Sequence, residues 1–305
     1  MGNIISTKQF KKEEVEKILA QAELMEKSLK KGNVKQILKN KIVACIFFEP
    51  STRTRLSFET AALKLGAQVI SAENAMENSS AHKGETIEDT TKIICSYADL
   101  VVIRHPVAHT PEKMAKVATK PIINAGDGAN EHPTQGLLDL YTIKKEHGRL
   151  NNLNIGFGGD LLNSRTLKSL VPLLRFYKGN KFYFLSPTEL ELPREFIKEL
   201  KNNEIAFEEL RSLEEKLGEL DVLYMTRVQK ERFANLKDYE KVKDLFIFKK
   251  EHLKKIKKNA IIMHPLPKIN EIELEVDADP RAAYFRQAQN GLYIRMALLC
   301  YSLGL

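Results

Sequence analysis

Phosphate chemistry is suggested by one stretch of this sequence, FFEPSTRTRLSFETAALKLGA, from Phe47 to Ala67. The apolar run before it, Lys41 to Phe48, reads as a buried strand. A polar turn follows and leads directly into a predicted helix near Arg53 to Leu65. The first turn of a helix has N–H groups without intrahelical partners and carries a partial positive charge, so it receives phosphate readily. Ser51, Thr52 and Thr54 add hydroxyls at that point. Arg53 adds a guanidinium that matches two phosphate oxygens at once. The stretch has no G-K-[ST], so it is not a Walker loop. Ser-Thr ahead of a helix is by itself an ordinary cap. The full STRTR directly after a buried strand is far more specific.

Other polar residues fall where an α/β protein gathers ligands. Arg104, followed by His105 and Pro106, sits at a predicted strand end, and open α/β sheets bind ligands at strand C-termini. His132 and Gln135 lie three apart at the start of a predicted helix and share a face. The helix dipole there disfavours an imidazolium, so a neutral His132 is suited to donate a hydrogen bond to a carbonyl. HPLP, His264 to Pro267, follows a predicted strand. Its prolines lack N–H groups, so the turn offers carbonyl oxygens without competing donors. Arg165 opens a helix after GFGGDLL, and Arg227 and Gln229 follow another strand. That glycine cluster lacks the third glycine of a dinucleotide loop, so no nicotinamide cofactor is expected. Ser79 and Lys83 stand in ENSSAHKGET, a composition usual for an exposed loop.

These side chains need a scaffold of alternating strands and helices, which favours parallel sheets. Strands are expected at Lys41–Phe48, Asp99–Arg104, Pro121–Asn124, the LNIGFGGD run, Lys181–Leu185, Asp221–Met225 and Ala260–Met263. A helix is expected from Pro133, capped by His132, to Gly148, with Leu137, Leu140, Tyr141 and Lys144 on one face. Others are expected through Leu170 to Leu174 and, amphipathic, from about Gly291 to Leu303. The lysines between Lys249 and Lys258, interleaved with Leu253 and Ile256, read as the wet face of one helix rather than a nucleic-acid patch.

The chain has 305 residues, room for two domains at roughly 100–200 residues each. With 43% hydrophobic residues it is expected to pack rather than stay disordered. The net charge of +8, from 48 Lys plus Arg against 40 Asp plus Glu, suits anionic ligands. The N-terminus turns charged within ten residues, unlike a signal peptide, and no run approaches the roughly 20 apolar residues of a membrane span. Cys45, Cys95 and Cys300 form no C-x-x-C pair, so buried thiols in the cytoplasm are expected, and no metal site.

FFEPSTRTRLSFE resembles the carbamoyl phosphate signature of the aspartate and ornithine carbamoyltransferases. The likeness continues through SSAHKGETIEDT, VIRHP, HPTQGLLDL, MTRVQKERF and MHPLPKINEIE, in the family's order and over nearly the whole chain. The resemblance implies α/β architecture with two doubly wound domains, parallel sheets and interdomain helices. The carbamoyl phosphate domain would span 1–134, completed by 287–305, and the aspartate domain 135–286. It implies that Ser51, Thr52, Arg53, Thr54, Arg104, His132 and Gln135, with backbone at Leu266 and Pro267, hold carbamoyl phosphate. Arg53, Thr54, Lys83, Arg104 and His132 would be catalytic. Arg165, Arg227 and Gln229, with Lys83, would grip aspartate, since two carboxylates want two guanidiniums. Ser79 (or its neighbour Ser80) and Lys83 would reach a neighbouring subunit of a homotrimer. Some relatives add a separate regulatory chain that binds zinc and nucleotides. No cofactor, nucleic acid or membrane is implied. Pro265, where the ornithine branch usually has Cys, and MTRVQ, where it usually has an SMG loop, favour aspartate. Arg227 beside the cation of ornithine would be repulsive.

Overall fold

A computed structural model describes residues 2–75, 84–230, 233 and 235–305 of the chain. Ser79, Ser80 and Lys83 lie outside the described residues. The chain forms two compact units. One comprises Met1–Tyr141, Lys168–Leu173 and Gln289–Leu305; the other comprises Thr142–Leu167 and Leu174–Ala288.

The first unit holds a parallel sheet of four strands: β1 (Ile42–Phe47), β2 (Gln68–Glu73), β3 (Leu100–His105) and β4 (Ile122–Asp127), in the order β2-β1-β3-β4. Helices α1 (Lys12–Lys30), α2 (Thr52–Lys64), α3 (Ile87–Tyr97) and α4 (Thr110–Val117) belong to the same unit. β3 and β4 are buried at every residue, and β1 at all but Ile42. This is why they read as unbroken apolar runs: a parallel strand covered on both faces has no wet side. β2, at one edge of the sheet, has no buried residue, and its mixed QVISAE gave no such signal.

The second unit holds five parallel strands: β5 (Asn154–Gly159), β6 (Lys181–Leu185), β7 (Phe207–Leu210), β8 (Val222–Thr226) and β9 (Ile261–Met263), in the order β7-β6-β5-β8-β9. Phe157 on the central strand is fully buried among Phe182, Phe184 and Tyr224, with ring centroids 5.8–6.2 Å apart. Burying each such ring contributes about 1.5–3 kcal/mol. Helices α7 (Arg194–Asn202) and α8 (Leu236–Val242) belong to this unit, while α5 (Pro133–His147), α6 (Arg165–Leu174) and α9 (Tyr284–Leu303) carry residues of both. Among the described residues no helix is long and apolar enough to cross a membrane. The three cysteines are buried and free.

Helix α5 forms where expected, and from Pro133 to Ile143 every residue is buried except Gln135, which is half-buried. Two expectations need correction. α9 begins at Tyr284 rather than near Gly291, which lies inside it. The lysine-rich segment is no single helix face. It is a 3-10 helix, Lys250–Lys254, followed by a turn into β9. Lys255 pairs there with Glu214, and Lys257 with Asp221 at 2.8 Å.

Gly159 ends β5 with φ +105°, and a Cβ there would lie 2.2 Å from the Thr226 carbonyl oxygen. Both the left-handed backbone and the close approach of β8 exclude a side chain. Gly159→Ala is expected to cost about 3 kcal/mol of stability. The check is a lower urea midpoint at unchanged slope.

Candidate functional site

A strand order that reverses direction opens a crevice at the sheet's C-terminal edge, where neighbouring crossovers depart to opposite sides. In the first sheet the reversal lies between β1 and β3, and in the second between β5 and β8. STRTR and Arg104 follow the strands at the first of these points, and Arg165 and Arg227 follow those at the second.

At the first, β1 runs through Phe48, Glu49 and Pro50 into α2. Ser51 occupies the cap position with extended backbone and makes no side-chain cap hydrogen bond. Its hydroxyl is therefore not committed to the helix, and the donors of the first turn keep their capacity for an anion. Thr54 is buried, while Thr52 and Arg53 are exposed. Partial desolvation lowers the Arg53 pKa from the ordinary guanidinium value. Parallel register sets Arg104 opposite Phe47, and Phe48 N–H donates to the Arg104 carbonyl at 2.8 Å. The STRTR loop and Arg104 thus leave adjacent strands side by side.

The Arg104 guanidinium is buried, with Nη2 2.9 Å from Glu49 Oε2 and Nη1 3.5 Å from the Ala125 carbonyl. Beside it, Gly126 has φ +117°. A Cβ at Gly126 would stand 3.0 Å from Arg104 Nη1 and 3.5 Å from His132 Cδ2. Only glycine lets Arg104 and His132 close on the same point. Asn124 and Asp127 close the turn between β4 and α5. The Asn124 side chain accepts from Gly126 N–H and donates to Asp127, which accepts from Glu131 N–H. His132 N–H donates to Ser169 Oγ at 2.8 Å, and its Nδ1 lies 3.4 Å from Thr134 Oγ1. Gln135 is one turn further on.

At the second switch point Asp160, fully buried, follows β5. It accepts from Asn163 N–H, from the Asn163 side chain and from Gln229 N–H. Burial raises its pKa, and the Asn163 and Gln229 hydrogen bonds and the Arg227 charge oppose the rise. The Gln229 amide donates to the Asn163 carbonyl. Arg165 opens α6, and Arg227 follows β8 directly; both are partly exposed.

The HPLP turn follows β9. His264 Nδ1 accepts from Leu266 N–H at 2.8 Å, so its proton resides on Nε2, which faces Glu271 Oε1 at 2.7 Å. Glu271 also accepts from Ile269 and Asn270 N–H. The one N–H between the prolines is therefore consumed inside the turn. Sequence reading missed Glu49, Gly126, Asp160, Ser169 and Glu271. Only Glu49, inside FFEPSTRTR, and Asp160, ending GFGGD, had a local signal. Among the described residues no group of three His, Cys, Asp or Glu is placed to hold a metal.

Two parallel-sheet units, each carrying guanidinium groups at its switch point, with His132 in the first and the Asn163 and Gln229 amides in the second, define an α/β enzyme for small anionic substrates. Residues 3–145 match the carbamoyl-P binding domain of aspartate/ornithine carbamoyltransferase, and residues 151–302 match the Asp/Orn binding domain. The chain belongs to the aspartate/ornithine carbamoyltransferase family. It is 47% identical to the aspartate carbamoyltransferase catalytic subunit of Methanocaldococcus jannaschii, over 98% of this chain and 97% of that one. A solved structure of that subunit superposes with a TM-score of 0.91. Aspartate transcarbamoylase from Trypanosoma cruzi, solved in complex with carbamoyl phosphate and aspartate, is 36% identical with a TM-score of 0.91, covering 98% of this chain and 94% of that one. The chain is also 48% identical to part of multifunctional protein pyr1-3 of Dictyostelium discoideum, where 99% of it spans 13% of that protein.

His105, His147 and His264 all have pKa values lowered chiefly by burial. A histidine held neutral when folded but titrating near 6.5 when unfolded contributes stability above that pH, which is lost as pH falls through its folded pKa. The thermal midpoint is expected to drop progressively as pH falls below about 6.5, as scanning calorimetry between pH 7.5 and 5 would register.

Proposed function

We propose that this chain transfers the carbamoyl group of carbamoyl phosphate to the α-amine of L-aspartate, giving N-carbamoyl-L-aspartate and phosphate in de novo pyrimidine biosynthesis. The observation that carries the choice of aspartate is the second switch point. Arg227, in MTRVQ, follows β8 beside the Asp160-ordered Gln229, and Arg165 opens α6. Two guanidiniums suit a dicarboxylate and repel the side-chain cation of ornithine.

Each residue then has a task. Ser51, Thr52, Arg53 and Thr54 hold the phosphate at the start of α2. Gln135 and the turn at Leu266 and Pro267 hold the carbamoyl NH2. The aspartate nitrogen attacks the carbamoyl carbon, and negative charge builds on the former carbonyl oxygen. Thr54, Arg104 and His132 stabilise that charge as it develops. The bond from carbon to the phosphate oxygen breaks, its electron pair leaves with phosphate, and the amine proton passes to that phosphate. No protein nucleophile and no cofactor are needed, because orientation of the two substrates supplies much of the acceleration.

The residues divide between a carbamoyl phosphate domain, 1–134 with 287–305, and an aspartate domain, 135–286. The assembly is a homotrimer in the cytoplasm, with Ser79 and Lys83 contributed to a neighbour's site. Exposed Leu56 and Leu63 on α2 and Ile70 on the edge strand β2 give that assembly an apolar surface. A separate zinc-binding regulatory chain is a further partner in this reading.

Turnover is expected with carbamoyl phosphate and L-aspartate and not with L-ornithine; turnover with ornithine alone would overturn the assignment. Arg227→Ala and Arg165→Ala are each expected to raise the KM for aspartate about tenfold to hundredfold, with little change in that for carbamoyl phosphate. Mixing inactive Lys83→Ala chains with inactive Arg53→Ala chains, dissociated and reassembled, is expected to restore activity. Two inactive populations that stay inactive after exchange would place Lys83 in its own subunit's site.

A further inference from the structure

An amide side chain is a two-ended group. One end accepts hydrogen bonds and the other donates them, and only its neighbours decide which end faces a ligand. Gln135 is the one residue between Pro133 and Ile143 that reaches the surface, and its Nε2 donates to Asp139 Oδ1 at 2.9 Å. Asp139 lies one turn along the same helix and is fully buried. An ionised carboxylate only accepts, so it binds the NH2 end of Gln135 and leaves Oε1 as the end available to accept from a ligand.

A buried carboxylate needs a cation to stay charged. Arg295, in the middle of α9, is itself buried, and Asp139 acts on it electrostatically. Burial draws the Arg295 pKa down to about 10 while the Asp139 charge pushes it back up, so it is protonated at neutral pH. The Arg295 guanidinium carbon lies 5.2 Å from the centroid of the Phe58 ring, on the helix that carries the phosphate loop. Room for the guanidinium depends on Gly291, where a Cβ would stand 2.1 Å from Arg295 Nη1. A cation sequestered at this depth, over an aromatic face and within the field of the Asp139 carboxylate, is a costly arrangement. None of its members was singled out by sequence.

We propose that Asp139 is a positioning residue that holds the NH2 end of the Gln135 amide and leaves its oxygen for the ligand, and so makes the site select a donor NH2 on the acyl group of its phosphorylated substrate. The proposal rests on the reading that Gln135 meets the carbamoyl NH2. Acetyl phosphate, with a methyl in place of that NH2, is the matched probe.

The protein is expected to prefer carbamoyl phosphate to acetyl phosphate in protection and in turnover. Asp139→Asn turns its own oxygen toward Arg295 and its NH2 toward Gln135, so the Gln135 amide flips and presents NH2 to NH2. The carbamoyl phosphate KM should rise about tenfold or more. Acetyl phosphate affinity and inhibition by inorganic phosphate should hold, so the preference collapses. Asp139→Glu, which restores an acceptor-only group, should recover part of it. Equal weakening toward both acyl phosphates would mean that Asp139 is merely structural, and an unchanged preference would also overturn the proposal. Gln135→Ala separates the two readings: if it leaves the preference intact, the contact between Gln135 and the carbamoyl group is what fails. Should Asp139→Asn not fold, the wild-type trimer still decides. The Gln135 side-chain NH2 protons, assigned by their loss in Gln135→Ala, should exchange slowly with solvent with and without carbamoyl phosphate. Fast exchange in the free protein would sink the lock.

Discussion

In a parallel sheet every strand ends at the same edge, and every crossover helix that follows begins near it. The partial positive charge of helix N-termini and the open ends of strands are therefore brought together by topology alone. The rest of this structure depends on that constraint. Both sheets reverse their winding, between β1 and β3 in one and between β5 and β8 in the other. Crossovers leave in opposite directions at these points, so nothing from the same sheet fills the space beyond the strand ends. STRTR and Arg104 flank the first gap; Asp160, Arg165 and Arg227 flank the second.

Placing charge at such points requires holding it still, and each polar group is held by another. Glu49 and the Ala125 carbonyl hold the buried Arg104. Asp160 gathers three donors from the residues around Gln229 and Asn163. His264 and Glu271 take up the N–H groups of the turn after β9. Hydrogen bonds of this kind contribute only about 1 kcal/mol each to stability, but leaving one partner unsatisfied costs more. Their effect is to narrow the orientations a substrate-facing group can take, which is what catalysis by orientation requires. Glycine does the complementary work, opening room where a side chain would intervene, as Gly126 does between Arg104 and His132.

Much of the fold was legible because buried parallel strands are apolar throughout. KIVACIFF, DLVVIR and KFYFL announce themselves, and so does the helix from Pro133 to Gly148. Strands β2 and β7 did not, since both are largely exposed or only partly buried and carry mixed residues, QVISAE and FEEL. The lysine-rich segment misled for a related reason. Exposed charges say nothing of the backbone beneath them, and it forms a short 3-10 helix and a turn. Gly291 suggested a helix start, but α9 begins at Tyr284, and a Cβ at 291 would stand 2.1 Å from Arg295 Nη1.

The sequence by itself determined the buried strands, most of the long helices and a set of candidate polar groups. Hydroxyl and guanidinium groups cluster within a few positions of one another in STRTR, and a short motif carries its own chemistry. Arg53, Thr54, Arg104, His132, Gln135, Arg165 and Arg227 could all be named without coordinates. Only the tertiary structure decided which groups hold them. The pairs Arg104 with Glu49, Gly126 with His132, Asp160 with Gln229, and Asp139 with Arg295 join residues that are 6 to 156 positions apart. Their distance is closed by strand register and helix packing. No local pattern can encode such a partner, because a buried charge is matched by whatever the fold brings to it.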